Sequence, residues 1–119
     1  SAQGERTDIH VDAISRGVNG EEYDRITAII ETKGCWHQEL DNAMETQLLN
    51  RYLKDNQCQY GLYLVGWFNC DQWSDGDHRK RRAPKLSICE AQIQFDAQAS
   101  ALSQQGTLLK ALVVNIALR

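Results

Sequence analysis

Asp8, Glu31 and Lys33 are the residues of this sequence whose charge is hardest to place without chemistry. Ile26-Thr27-Ala28-Ile29-Ile30 runs directly into Glu31-Thr32-Lys33. Because side chains alternate along a strand, Ile29, Glu31 and Lys33 project from one face and Thr32 from the other. Two opposite charges at the end of an otherwise buried strand need a partner, a metal or solvent, since unpaired buried charge is expensive. Asp8 opens an earlier strand that a hairpin can lay beside Glu31. Two carboxylates about one water apart, with an ammonium beside them, suit a hard divalent cation and a phosphodiester. Water bound to Mg²⁺ loses its proton more readily, and the lysine offers positive charge to a developing pentacovalent phosphorane. An acid-x-lysine triplet alone arises by chance about once in a chain of this size. Its weight comes from its place at the end of an apolar strand, a hairpin's length after an acid-led one.

The elements that must position these groups follow from periodicity. After a polar extension, Ser1 to Thr7, the segment Asp8 to Ile14 alternates polar and apolar residues and predicts a half-buried strand. Turn formers Gly17, Asn19 and Gly20 lead into the β-branched run Arg25 to Ile30, so the two strands are expected to form a hairpin. From about Gln38 to Lys54, Leu40, Met44, Leu48 and Tyr52 recur every four residues, which predicts a helix. Tyr60 to Phe68 is a continuous apolar run suited to a buried strand, and Asn69 to Lys85 has the composition of a long loop. Ser87 and Glu90 form a capping-box pattern before a second helix with Ile88, Ala91, Phe95, Ala99 and Leu102 on one face. Gly106 ends it, and Leu108 to Leu118 predicts the last strand. The expected fold is α/β, a mixed central sheet flanked by helices in the order β-β-α-β-α-β.

Asp8-Ile9-His10-Val11-Asp12-Ala13, then Ile26 through Gly34, then a helix carrying Gln47, resembles the PD-(D/E)XK, or restriction-endonuclease-like, nuclease pattern. The run from Gly34-Cys35-Trp36 to Gly66-Trp67-Phe68-Asn69 is also similar to nuclease-like modules at the ends of large bacterial NTPase-type proteins. The resemblance implies a Mg²⁺- or Mn²⁺-dependent deoxyribonuclease, acting in the cytoplasm on DNA as the effector end of a bacterial defence protein. It also implies that Asp8, Glu31 and the Thr32 carbonyl ligate the metal, and that Lys33 orients the water or stabilises the transition state. Thr7 stands where the family often has proline. The family usually carries a helix, and often a strand, before the aspartate. Only seven residues precede Asp8, so the 119 residues are expected to be a single domain cut from a longer chain and lacking that helix. In the subset resembling RecB nucleases a glutamine and a tyrosine lie four apart; here Arg51 stands four after Gln47 and Tyr52 five after, about 140° around an α-helix. Gln47 is either a site-orienting catalytic residue or a hydrogen-bonded core amide.

Other residues leave alternatives open. Asp12 shares a face with Asp8 and is the substitute ligand if Asp8 is not one; otherwise it is an exposed carboxylate. His10 and His37 are proton carriers or ordinary polar residues. Trp36, Trp67 and Trp73 stack on bases or fill the core. The run Arg79-Lys80-Arg81-Arg82, with His78 before it, is either a phosphate-contacting nucleic-acid site or a solvated loop. A net charge of −3 does not advertise nucleic-acid binding by charge alone, so any DNA contact must come from such a local patch. Cys35, Cys58, Cys70 and Cys89 lack zinc-site spacing and are expected as thiols. Apolar runs are too short to cross a bilayer, so no membrane partner is expected, whereas the remainder of a larger chain and a homo-oligomer are. The contrasting function is a catalytically inactive module that keeps the nuclease fold for binding or assembly.

Overall fold

The computed structural model of the protein describes residues 8–68 and 74–116, with Asp8 described by its backbone. Four strands, β1 (Asp8–Arg16), β2 (Glu22–Gly34), β3 (Tyr60–Trp67) and β4 (Leu108–Asn115), form one sheet in the order β1-β2-β3-β4. β1 and β2 are an antiparallel hairpin, while β2, β3 and β4 run parallel. Gly20, at a φ of 84°, supplies the left-handed residue of the connecting turn. The carboxyl ends of the three parallel strands therefore lie together.

Parallel neighbours require crossovers, and both carry helices. Between β2 and β3 lies a π-helix, Met44–Leu53; between β3 and β4 lie the short α1 (His78–Arg82) and the longer α2 (Ile88–Leu102). Ile29 of β2, Tyr63 and Val65 of β3, and Leu109 and Val113 of β4 are buried on one sheet face. Met44, Leu48 and Leu53 of the π-helix and Ala91, Phe95 and Ala99 of α2 belong to the same core. Phe95 meets the ring of Tyr63 edge-on, with centroids 5.8 Å apart. Burying one such aromatic side chain contributes about 1.5–3 kcal/mol. α2 begins at the predicted capping box, in which Ser87 Oγ accepts from the Glu90 N–H and Glu90 accepts from the Ser87 N–H. It also guards the edge strand: Gln92 donates to the Ala111 carbonyl and accepts from the Val113 N–H, engaging the outer backbone edge of β4.

Two elements differ from expectation. The first predicted helix starts at Met44, preceded by turns, and is wound as a π-helix. Its buried residues, Met44, Leu48 and Leu53, are four and five apart; a turn closed one residue later than in an α-helix keeps such a stripe facing the sheet. Part of the expected loop is α1, whose N-cap Asp77 accepts from the Arg79 N–H. Residues 69–73, with Cys70 and Trp73, the extension 1–7, and 117–119 of the expected last strand lie outside the described residues. Cys35, Cys58 and Cys89 are thiols.

The other sheet face carries Ile9, Val11, Ile26, Tyr60, Leu108 and Leu112, each between 37% and 51% exposed. The outer part of the β1–β2 hairpin is exposed as well, and the molecule measures 57 × 31 × 29 Å. No helix of the described residues is long and apolar enough to cross a membrane.

Candidate active site near the carboxyl ends of the parallel strands

In the hairpin register Asp8 lies directly opposite Glu31, and in the parallel register Glu31 lies beside Tyr63. Directly opposed residues share a sheet face, with Cβ atoms about 4.5–5.5 Å apart. Asp8, Glu31 and Tyr63 thus form one row across three strands, and Lys33 stands two residues further toward the carboxyl end. Lys33 Nζ is 3.0 Å from Glu31 Oε1, and the side chains are 6% and 0% exposed. The sequence left these charges to a partner, a metal or solvent at the strand's end, and here they partner each other away from solvent. β2 continues to Gly34, and the following segment, with buried Cys35, Leu40 and Ala43, belongs to the core over the same face.

Tyr63 holds that segment in place by donating its hydroxyl to the Leu40 carbonyl at 2.7 Å. Burial, followed by the charge of Glu31, pushes the Tyr63 hydroxyl well above the usual tyrosine range, so it remains a protonated donor. Tyr63→Phe is expected to lower stability by about 1–3 kcal/mol, because a buried carbonyl loses its donor while the ring stays packed. Urea unfolding checks this, and a change below about 0.5 kcal/mol, the usual limit for a surface substitution, means that water reaches Leu40.

His37 follows in the same segment, and its Nδ1 accepts from the Glu39 N–H at 3.0 Å. Desolvation, and then the nearby charge of Lys33, hold its pKa below the ordinary histidine value, with Glu39 and Glu31 opposing them. A neutral ring that accepts at Nδ1 carries its proton on Nε2. Gln47 donates to a Glu39 carboxylate oxygen. It thereby ties the π-helix to the segment carrying His37, which makes it a positioning residue for that segment. Tyr63 and Glu39 are the additions that the sequence did not disclose. Tyr63 is an alternating residue in an apolar run, and only the register shows that it stands beside Glu31.

Asp12 is removed from the row. It pairs with Thr27, accepts from its hydroxyl at 2.6 Å and is 3.2 Å from Arg25 Nη1. Four residues of strand separate Thr27 from Glu31, roughly 13 Å. His10 lies opposite Ile29 and is exposed. Thr32 projects to the other face, where it helps line a cavity of about 500 Å³ with Gly34, Trp36, Leu64 and Phe68.

Among the described residues no three His, Cys, Asp or Glu side chains are grouped for a metal. The oxygens that would meet a Mg²⁺ here are those of Glu31 and the Thr32 carbonyl one residue on, with Asp8 opposite Glu31 in the backbone register. Mg²⁺ commonly takes one or two carboxylates and keeps several waters, so a sparse oxygen set suits it better than it would suit zinc. Glu31 would share its charge between such an ion and Lys33.

The basic run sits beside this end of the sheet. The Arg79 guanidinium lies 5.4 Å from the Trp36 ring centroid, and Trp36 stacks on Phe68 with centroids 4.6 Å apart. Arg79 pairs with Asp77 at 2.7 Å and Lys80 with Asp75 at 2.6 Å. Arg81 and Arg82 are exposed and join no ion pair among the described residues. Trp67 is a core residue. No protein-family model, curated protein or solved structure matches this chain.

Proposed function

We propose that the domain is a metal-dependent nuclease that hydrolyses DNA phosphodiester bonds, with its centre at Asp8, Glu31 and Lys33. The observation that carries this is the hairpin register, which sets Asp8 opposite Glu31 with Lys33 two residues beyond on the same face. A bound Mg²⁺ would acidify a water and draw charge from the phosphoryl oxygens. The chain's own contribution is positional. Asp8, Glu31 and the Thr32 carbonyl would hold the ion, Glu31 fixes the Lys33 ammonium at 3.0 Å, and that ammonium would offset the negative charge that grows on phosphorus. Tyr63 and the Gln47–Glu39 contact keep the covering segment in register with the pair. The test is cleavage of plasmid and single-stranded DNA with and without Mg²⁺. Metal-dependent cleavage supports the proposal, and intact DNA in the presence of folded, Mg²⁺-saturated protein ends it.

One observation favours the second function, an inactive module of nuclease-like architecture. Glu31 is fully buried, so its bond to Lys33 serves equally well as a purely structural ion pair.

Arg81 and Arg82 are the phosphate-binding side chains in the proposed function. Replacing both with alanine is expected to weaken DNA binding about equally for all sequences, and to flatten its salt dependence by up to roughly one log unit for each arginine removed. Metal affinity is expected to stay the same. Binding measured across a salt series checks this, and an unchanged slope places the DNA-facing surface elsewhere.

A further inference from the structure

The parallel strands end together, and in open α/β sheets the crevice beyond the carboxyl ends of the strands is where ligands bind. Here a cavity of about 500 Å³ flanks those ends, its floor of Thr32, Leu64 and Val114 on the sheet face opposite Glu31 and its walls Trp36, His37 and Phe68. Its volume lies in the range that accommodates a small organic ligand, and its lining is mostly apolar with a few polar groups, as such sites require. The Trp36–Phe68 stack is a preformed aromatic wall held from two sides. The Trp36 ring covers Gly34 so closely that a Cβ there would overlap it. Arg79 lies over the same ring, which brings the basic α1 to the rim. His37, neutral and protonated at Nε2, adds a donor. A flat heteroaromatic ring carrying an anionic backbone matches this combination of apolar floor, aromatic wall and cationic rim.

We infer that the cavity receives one unpaired nucleobase of a nucleic-acid strand whose phosphates pass Arg81 and Arg82, so that the substrate is single-stranded or locally opened at the site. This rests on the proposed nuclease function and names its substrate class. Bases inside a duplex have both faces stacked and their edges paired, and they enter a pocket only after extrusion, whereas a single strand offers its bases at little expense.

The test is fluorescence anisotropy of labelled oligo-dT and of a blunt duplex in EDTA, where no metal-dependent cleavage occurs. Oligo-dT is expected to bind more tightly than the duplex. Leu64→Trp, which fills the cavity from its floor, and Phe68→Leu, which keeps apolar bulk but removes the stacking ring, are each expected to weaken oligo-dT binding about 5- to 150-fold, the range that 1–3 kcal/mol per stacked base converts to. Duplex binding by the same variants should change less than about twofold. Thermal melting identifies a variant that fails to fold, and the other variant then decides. Parent-like oligo-dT affinity in a folded variant, or equal loss for duplex and single strand, overturns the inference. Free dTMP that saturates the protein without displacing oligo-dT also overturns it, since the cavity would then serve a free nucleotide. Selective oligo-dT binding without any cleavage in Mg²⁺ supports the cavity's role and removes only the nuclease function.

Discussion

Lys33→Met is expected to destabilise the domain by about 3–5 kcal/mol, because it leaves the fully buried Glu31 carboxylate without the ammonium now 3.0 Å from it. Domains of this kind have only about 5–15 kcal/mol of total stability, so the loss is a large part of the whole. Replacing both partners, Glu31→Gln with Lys33→Met, removes the buried carboxylate charge together with its ammonium and is expected to restore most of the loss, since a well-packed neutral pair is often as stable as a buried ion pair. Urea unfolding of the parent, both single variants and the double variant forms a double-mutant cycle, with an expected coupling of at least about 3 kcal/mol, since each single variant leaves one buried charge behind. A loss below about 1 kcal/mol for Lys33→Met means that the pair behaves as an exposed bridge and that solvent enters the site. The same cycle separates structure from catalysis: a stable double variant that no longer cleaves DNA shows that the charges are kept for chemistry.

The sequence made α2 legible because its signals are local: a capping box at Ser87 and Glu90 and an apolar face through Ala91, Phe95 and Ala99. The hairpin was legible for the same reason, through alternation in β1 and turn formers between the strands. The π-helix left a trace in the spacing of Met44, Leu48 and Leu53, but assuming α-helical geometry assigned the stripe to Tyr52 in place of Leu53. With that wider winding the separation of about 140° between Gln47 and Tyr52, calculated for an α-helix, no longer applies. α1 was not legible, since His78 to Arg82 has no apolar face; its described supports are the Asp77 cap, the Lys80–Asp75 bridge and the packing of Arg79 on Trp36. The burial of Glu31 was hidden for a comparable reason. It depends on the segment through Leu40 and Ala43, anchored by Tyr63 from a strand some 20 residues later. Local patterns identified the charged pair, and non-local packing decided its surroundings.

The sharpest test of the metal site is Asp8→Asn, because it changes neither member of the Glu31–Lys33 pair. Asparagine keeps the shape of aspartate but not its charge, so one of the two carboxylates of the row is lost as an anionic ligand. Mg²⁺-dependent cleavage is expected to fall by about 10³-fold or more, corresponding to the several kcal/mol of charge stabilisation that a correctly held metal supplies. Activity is not the only readout. A metal that binds the folded state stabilises it by about 2.7 kcal/mol at 100 times its Kd, so the parent's melting temperature should rise with Mg²⁺ and that of Asp8→Asn should respond far less. Asp12→Asn is the control, on the same strand and the same face but opposite Thr27 and engaged by Arg25. It is expected to retain both the cleavage rate and the Mg²⁺ response, with a stability change within about 0.5 kcal/mol for an exposed site. If Asp12→Asn loses the metal response and Asp8→Asn keeps it, the ion is bound further out along the hairpin, and Glu31 and Lys33 are then a structural pair.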